Sequence, residues 1–148
     1  MTTSLVSVWL HLLGVVAWVG GLVFQAHVLG PATRREGAAP LAAMLRRARR
    51  VTWVAIALVV LTGFYNVTRL GPLERVMESG AGTLLAGKFI LVLAMITLAA
   101  QRDFAQVPRL ARPDALAALK TITWLDRAVL LLAVVVIYLG LAVSRLTR

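Results

Sequence analysis

Along this chain charge is scarce in four long stretches and concentrated in the segments between them. No charged side chain occurs from Met1 to Thr33, and the apolar run from about residue 4 to 30 exceeds the roughly 20 residues that cross a bilayer as helix. Val51 to Thr68 and Ala128 to Ser144 are likewise uncharged, and the stretch from about Thr83 to Gln101 holds Lys88 as its one charge. The pattern predicts four helices, at about 4–30, 41–69, 82–102 and 114–145. Pro40 and Pro113-Asp114 suit helix starts, while Gly71-Pro72 and Gly80-Ala81-Gly82 mark turns. A cleavable leader is the competing reading of the first run, which lacks a basic start and is too long for one. The expected fold class is all-α: an integral membrane, antiparallel four-helix bundle forming a single domain over 1–148.

Composition supports the membrane reading. Hydrophobic residues make up 60% of the chain, against roughly 45–50% in soluble domains even when glycine is counted. The net charge of +10 comes from 16 basic and 6 acidic side chains, and its placement matters more than its size. Arg34, Arg35, Arg46, Arg47, Arg49 and Arg50 lie between the first two helices, and Arg102, Arg109, Arg112, Lys120 and Arg127 between the last two. The opposite side carries only Arg69, Arg75, Arg145 and Arg148. The positive-inside rule therefore puts both arginine-rich segments in the cytoplasm and both termini outside, as a multi-pass protein of a bacterial-type inner membrane. These arginines are read as topology determinants that touch anionic lipid, with no nucleic-acid partner. The lack of cysteine excludes disulfides, thiolate metal sites and thiol catalysis.

Ionisable groups inside a bilayer are costly unless paired or facing a cavity, so they are the first candidates for chemistry. His11 lies about two turns inside the outer end of the first helix and Lys88 at a comparable depth on the third. His27 sits near the inner end of the first helix, turned away from His11 and too far along the axis to share an ion with it. His11, Trp18 and Gln25 recur at seven-residue spacing, as do Lys88, Met95 and Arg102, and Trp124, Tyr138 and Arg145. An outer-half cluster of His11, Tyr65, Asn66, Arg69, Lys88 and Tyr138 is the arrangement this geometry allows. Structural roles compete at each position: snorkelling for Lys88, belt or packing duty for the tryptophans, space filling for Met95, close helix packing for Gly14, Ala17 and Gly21. With two histidines and no cysteine, metal ligation is limited to His, Met and carboxylate, a set that suits copper(I); Met77, beside Glu74 and Glu78, is a soft-metal candidate. No phosphate loop, HExxH motif or intramembrane carboxylate pair is evident.

The wording of these segments is informative. His11-Leu-Leu-Gly-Val-Val-Ala-Trp18-Val-Gly20-Gly21 resembles the first-helix signature of the copper-resistance D (CopD) family. Leu61-Thr62-Gly63-Phe64-Tyr65-Asn66 and Gly82-Thr83-Leu84-Leu85-Ala86-Gly87-Lys88 resemble that family's later blocks, so the likeness runs from about Leu5 to Leu110. It implies copper uptake or resistance, with His11, His27 and Met77 as metal-ligand candidates. A related pattern occurs in HemJ-type protoporphyrinogen oxidases, four-helix membrane proteins that bind haem b; His11, Trp18 and Lys88 occupy matching places, whereas Gln25-Ala26-His27-Val28-Leu29-Gly30-Pro31 stands where that family has an arginine and a Tyr-His pair. That likeness implies a haem-binding oxidoreductase with His11, Trp18, Lys88, Asn66, Arg69 and Tyr138 around the cofactor. A third reading is a small scaffold or assembly subunit of a larger membrane complex. Bundles this small often need further copies to form a pathway, so the expected partners are the lipid bilayer, a metal ion or haem, and a second copy of the chain.

Overall fold

The computed structural model describes residues 2–69, 71, 73–78 and 80–146, with the side chains at 2, 4, 34–36, 73, 76–77, 80–81 and 146 outside that description. Its helices are α1 (Thr2–Phe24), α2 (Gly30–Glu36), α3 (Ala38–Thr68), α4 (Leu73–Glu78), α5 (Gly80–Ala100) and α6 (Ala115–Leu146). Four stretches are long and apolar enough to cross a membrane: Leu5–Thr33, Ala38–Thr68, Gly82–Ala111 and Ala115–Arg145. The all-α membrane bundle expected from the charge pattern is therefore present, and no strand occurs among the described residues.

Two spans continue past their expected ends, and a proline explains each. Pro31 has no N–H to donate to the carbonyl one turn back, and its ring crowds that carbonyl. The chain answers by widening into a π-helical turn, Gln25–Leu29, in which the Gly30 N–H bonds to the Gln25 carbonyl, and then runs on as α2 with Pro31 in its first turn. Pro108 has the same effect on the third span. Gln101–Gln106 is π-helical, the Val107 N–H bonds to the Arg102 carbonyl, and a 3₁₀ stretch, Val107–Ala111, carries the helix to its end. Gly37 then makes the turn into α3 at φ 96°, a left-handed conformation that glycine adopts without a Cβ penalty.

The spans pack as two hairpins, α1 against α3 and α5 against α6, with α6 bridging to the first pair. Gly14 is the close-approach point of the first hairpin, since a Cβ there would lie 2.8 Å from Val59 Cγ2 and 3.2 Å from the Ala55 carbonyl. Gly21, grouped with it by spacing, has open space around it. The central core draws on all four spans through Trp18, Leu22, Ala55, Ile56, Met95, Ala99, Val129 and Ala133. A second core of Leu41, Ala42, Leu45, Val107, Leu110, Ala118, Leu119 and Ile122 closes the arginine-rich end. Around both, Leu5, Val16, Val54, Leu61, Leu93, Leu131 and Leu141 face outward, an apolar belt too large for a soluble monomer and suited to lipid. At the start of α6 an exposed ion pair joins Arg109 to Asp114, and the guanidinium hydrogen bond holds the Asp114 carboxyl below its ordinary range.

Candidate functional site

In the half of the bundle nearer the two termini, α1 and α3 bring His11 and Thr62 together, His11 Nδ1 lying 3.0 Å from Thr62 Oγ1. Thr62 has one hydroxyl hydrogen, and it is directed back along α3 to the Leu58 and Val59 carbonyls. Its oxygen is thus left to accept from His11 Nδ1–H, which places the lone pair of a neutral ring on Nε2. Gly63 gives the ring its room, because a Cβ there would lie 3.3 Å from the ring carbon Cε1. Lys88 enters from α5 with Nζ 3.3 Å from where a Cβ of Gly140 would stand on α6, close enough to His11 for its charge to act on the imidazole. No carboxylate pairs with Lys88 among the described residues.

The larger outer cluster does not assemble. Asn66, one turn beyond Thr62, is half-buried, but Arg69 is exposed and lies over the Tyr65 ring, 5.4 Å from its centroid. Tyr138 is 69% exposed on the lipid side of α6, sharing that face with Trp124. A helix seam faces one direction only, and the packed seam of α6 is Ile122, Asp126, Val129 and Ala133. Trp18 is buried in the central core, where its Nε1–H has no partner. His27 is exposed, its Nδ1 bonded to the Val23 carbonyl of its own helix, and the side chain of Met77 on α4 lies outside the described residues.

The half nearer the arginine-rich segments holds a second constellation. Arg102 on the π-turn is 4% exposed, with Asp103 and Asp126 at 2% each. Arg102 Nη1 donates to Asp103 Oδ1 at 2.7 Å, Nη2 donates to Gln25 Oε1, and Nε lies 2.7 Å from Asp126 Oδ1. Trp53 Nε1 donates to Asp103 Oδ2 at 3.0 Å. Gln25 and Trp53 belong to the first hairpin and the three charged residues to the second, so this network clasps the two together. Sequence reading placed Arg102 at the end of the third helix and counted it with the loop that follows, and saw no carboxylate pair within the spans; the structure instead continues the helix through the π-turn and buries Arg102, Asp103 and Asp126 together. The signal that reveals Asp126 is its place on the buried seam of α6, at helical spacing from Ile122 and Val129.

As to metals, no group of three His, Cys, Asp or Glu stands together among the described residues. Haem needs a pocket of several hundred Å³. The enclosed void beside Asp126 is about 10 Å³ and contains no histidine, and the open furrow on α5 is lined by Ile90, Leu93, Ala94, Thr97 and Leu98. Neither fits haem. With the geometry established, the comparison with known families becomes decisive: the model for copper resistance protein D matches residues 42–143, more than half of the chain. The chain belongs to the copper resistance protein D family. The match includes Thr62, Lys88 and the Arg102–Asp103–Asp126 network and begins beyond the first span, so His11, Trp18 and His27 lie outside it. It also reaches further downstream than the Leu110 limit of the resemblance read from sequence. No curated protein and no solved structure matches the chain.

Proposed function

We propose that this copper resistance protein D family member handles copper ions as cargo at the outer half of an inner-membrane bundle, with both termini outside the cytoplasm and His11 as the protein ligand. The supporting observation is the orientation of the imidazole inside a membrane span: Nδ1 lies 3.0 Å from the Thr62 hydroxyl, and with Nδ1 as donor the lone pair of a neutral ring stands on Nε2. A neutral, hydrogen-bond-oriented imidazole is a good copper ligand. The Lys88 ammonium opposes a cation resident at His11, and a site that moves ions must bind weakly enough to release them. The orientation of the termini rests on the arginines, since Arg46, Arg47 and Arg50 are exposed at the end closed by Leu41 and Leu45. The Lys88 charge and the lack of a group of three His, Cys, Asp or Glu among the described residues favour passage over storage.

Copper retention by the protein purified in lipid is the direct test. His11→Ala is expected to remove most bound copper and His27→Ala to keep it, because His27 is exposed and already bonded to its own helix. Equal copper retention in both variants would show that the ion is held elsewhere.

A further inference from the structure

The inner network has an unbalanced count of charges. Arg102 supplies one positive charge and Asp103 and Asp126 one negative charge each when ionised, all three nearly removed from solvent. Of the other elements packed there, Gln25 and Trp53 contribute an amide and an indole, and the neighbouring walls are Ala26, Gly30, Leu41, Leu45, Leu119 and Ile122. A further cation, half-buried Arg49, has its guanidinium over the Phe104 ring, 5.4 Å from its centroid, and makes no ion pair with either carboxylate. Arg127, next to Asp126 in sequence, is exposed. An uncompensated ionised carboxylate in such surroundings costs several kcal/mol, about the penalty that makes buried acids take up a proton.

The two carboxylates are not equivalent. Asp103 receives two directed hydrogen bonds, from Arg102 Nη1 at 2.7 Å and from Trp53 Nε1 at 3.0 Å, and hydrogen bonds to the charged form are what stabilise it. Asp126 has the close Arg102 Nε contact, but that N–H is not aimed at its oxygen, and neither atom makes a hydrogen bond. Asp126 also lines the void of about 10 Å³ that Gln25 and Thr123 share, about the space that one water needs. We propose that the Arg102–Asp103–Asp126 network is a proton-binding site, in which Asp103 stays ionised as the counter-ion of Arg102 and Asp126 takes up and releases one proton through the water-sized void beside it.

Proton uptake converts the Asp126 carboxylate to a carboxylic acid, with a hydronium ion becoming water. Release leaves the network with a net negative charge. A small metal cation is a poorer occupant, because the guanidinium stands between the two carboxylates and the void is no larger than a water. The site lies fourteen residues from His11 along the first span and the same from Lys88 along the third, about 21 Å at 1.5 Å per residue. It therefore stands independently of the copper reading.

The test is infrared difference spectroscopy of the full chain in lipid, titrated from acid to alkaline while circular dichroism confirms that the helices persist. A carboxylic acid C=O band in a non-aqueous environment is expected. It should shift on isotopic labelling of the aspartate carboxyls, disappear as the medium becomes alkaline, be missing in Asp126→Asn and remain in Asp114→Asn. If Asp126→Asn does not fold, Asp126→Glu decides the matter: the acid remains at 126 but no longer carries the aspartate label, so the band should stay and lose its isotopic shift. A band that still shifts would belong to Asp103, since Asp114 is exposed and absorbs as a hydrated group. Absence of a labelled band throughout, its survival in folded Asp126→Asn, or a midpoint that moves with sodium at constant ionic strength would overturn the proposal.

Discussion

At the scale of single residues, two hydrogen-bonded side chains set the outer site. On the proposed copper reading Thr62 is half of the site, because its hydroxyl orients the His11 ring through Nδ1. Loss of such a second partner typically lowers metal affinity by about 10–100-fold. Thr62→Val is thus expected to weaken copper binding by at least about tenfold, while Thr62→Ser keeps it, as read by competition with a copper(I) chelator. If valine bound copper as well as threonine, the ring would not be oriented from α3. His11 and Lys88 were legible in the sequence because an ionisable residue inside an apolar run stands out. Asp126 was not, because it adjoins Arg127 at the start of the uncharged run and reads as a boundary until its face of the helix is known.

At the scale of elements, the π-turns are the devices that assemble the inner network. Each precedes a proline, and each carries buried polar groups: Gln25 on the first, and Arg102, Asp103 and Gln106 on the second. One extra residue per turn shifts the angular order of the side chains that follow. The seven-residue spacing that groups Gln25 with Trp18 and Arg102 with Met95 agrees with their burial, whereas the continuation of both spans and the burial of Asp103 beside Arg102 come from the turns themselves. Packing within the first hairpin is set by Gly14 against Val59. Gly14→Val should force α1 and α3 apart and destabilise the bundle by about 1–3 kcal/mol, the usual consequence of overpacking. Gly21→Ala, with nothing near its would-be Cβ, should be neutral or slightly stabilising, since alanine favours helix over glycine by about 0.5–1 kcal/mol. Denaturant unfolding in detergent measures both, and equal stability of the two variants would contradict this packing.

At the scale of the whole molecule, apolar contacts alone leave the hairpins loosely specified, since lipid competes for the same surfaces and supplies no hydrophobic drive between helices. The buried network gives their joint a register. Arg102→Met removes the cation and leaves Asp103 buried without its ion-pair partner, a loss of about 3–5 kcal/mol for a broken buried pair. Combining it with Asp103→Asn and Asp126→Asn removes every charge at once and should recover much of that stability. Unfolding measurements on the single and triple variants check this, and a triple variant as unstable as the single one would mean that the network acts by shape rather than by charge.

What the sequence by itself determined is the class of the molecule: four apolar spans, their order and the arginine-rich segments between them all follow from the high cost of exposing charge or unpaired backbone to hydrocarbon. That constraint acts on each span separately, so it can be read one residue after another. Which polar groups meet depends instead on angular phase, on hairpin pairing and on the two proline-induced π-turns, none of which is local to one residue. Tyr138 and His11 stand at comparable depths, yet one faces lipid and the other Thr62. Only the packed bundle decided that Arg102, Asp103 and Asp126 share one buried site, because their attraction operates only after tertiary contact has excluded both water and lipid from around them.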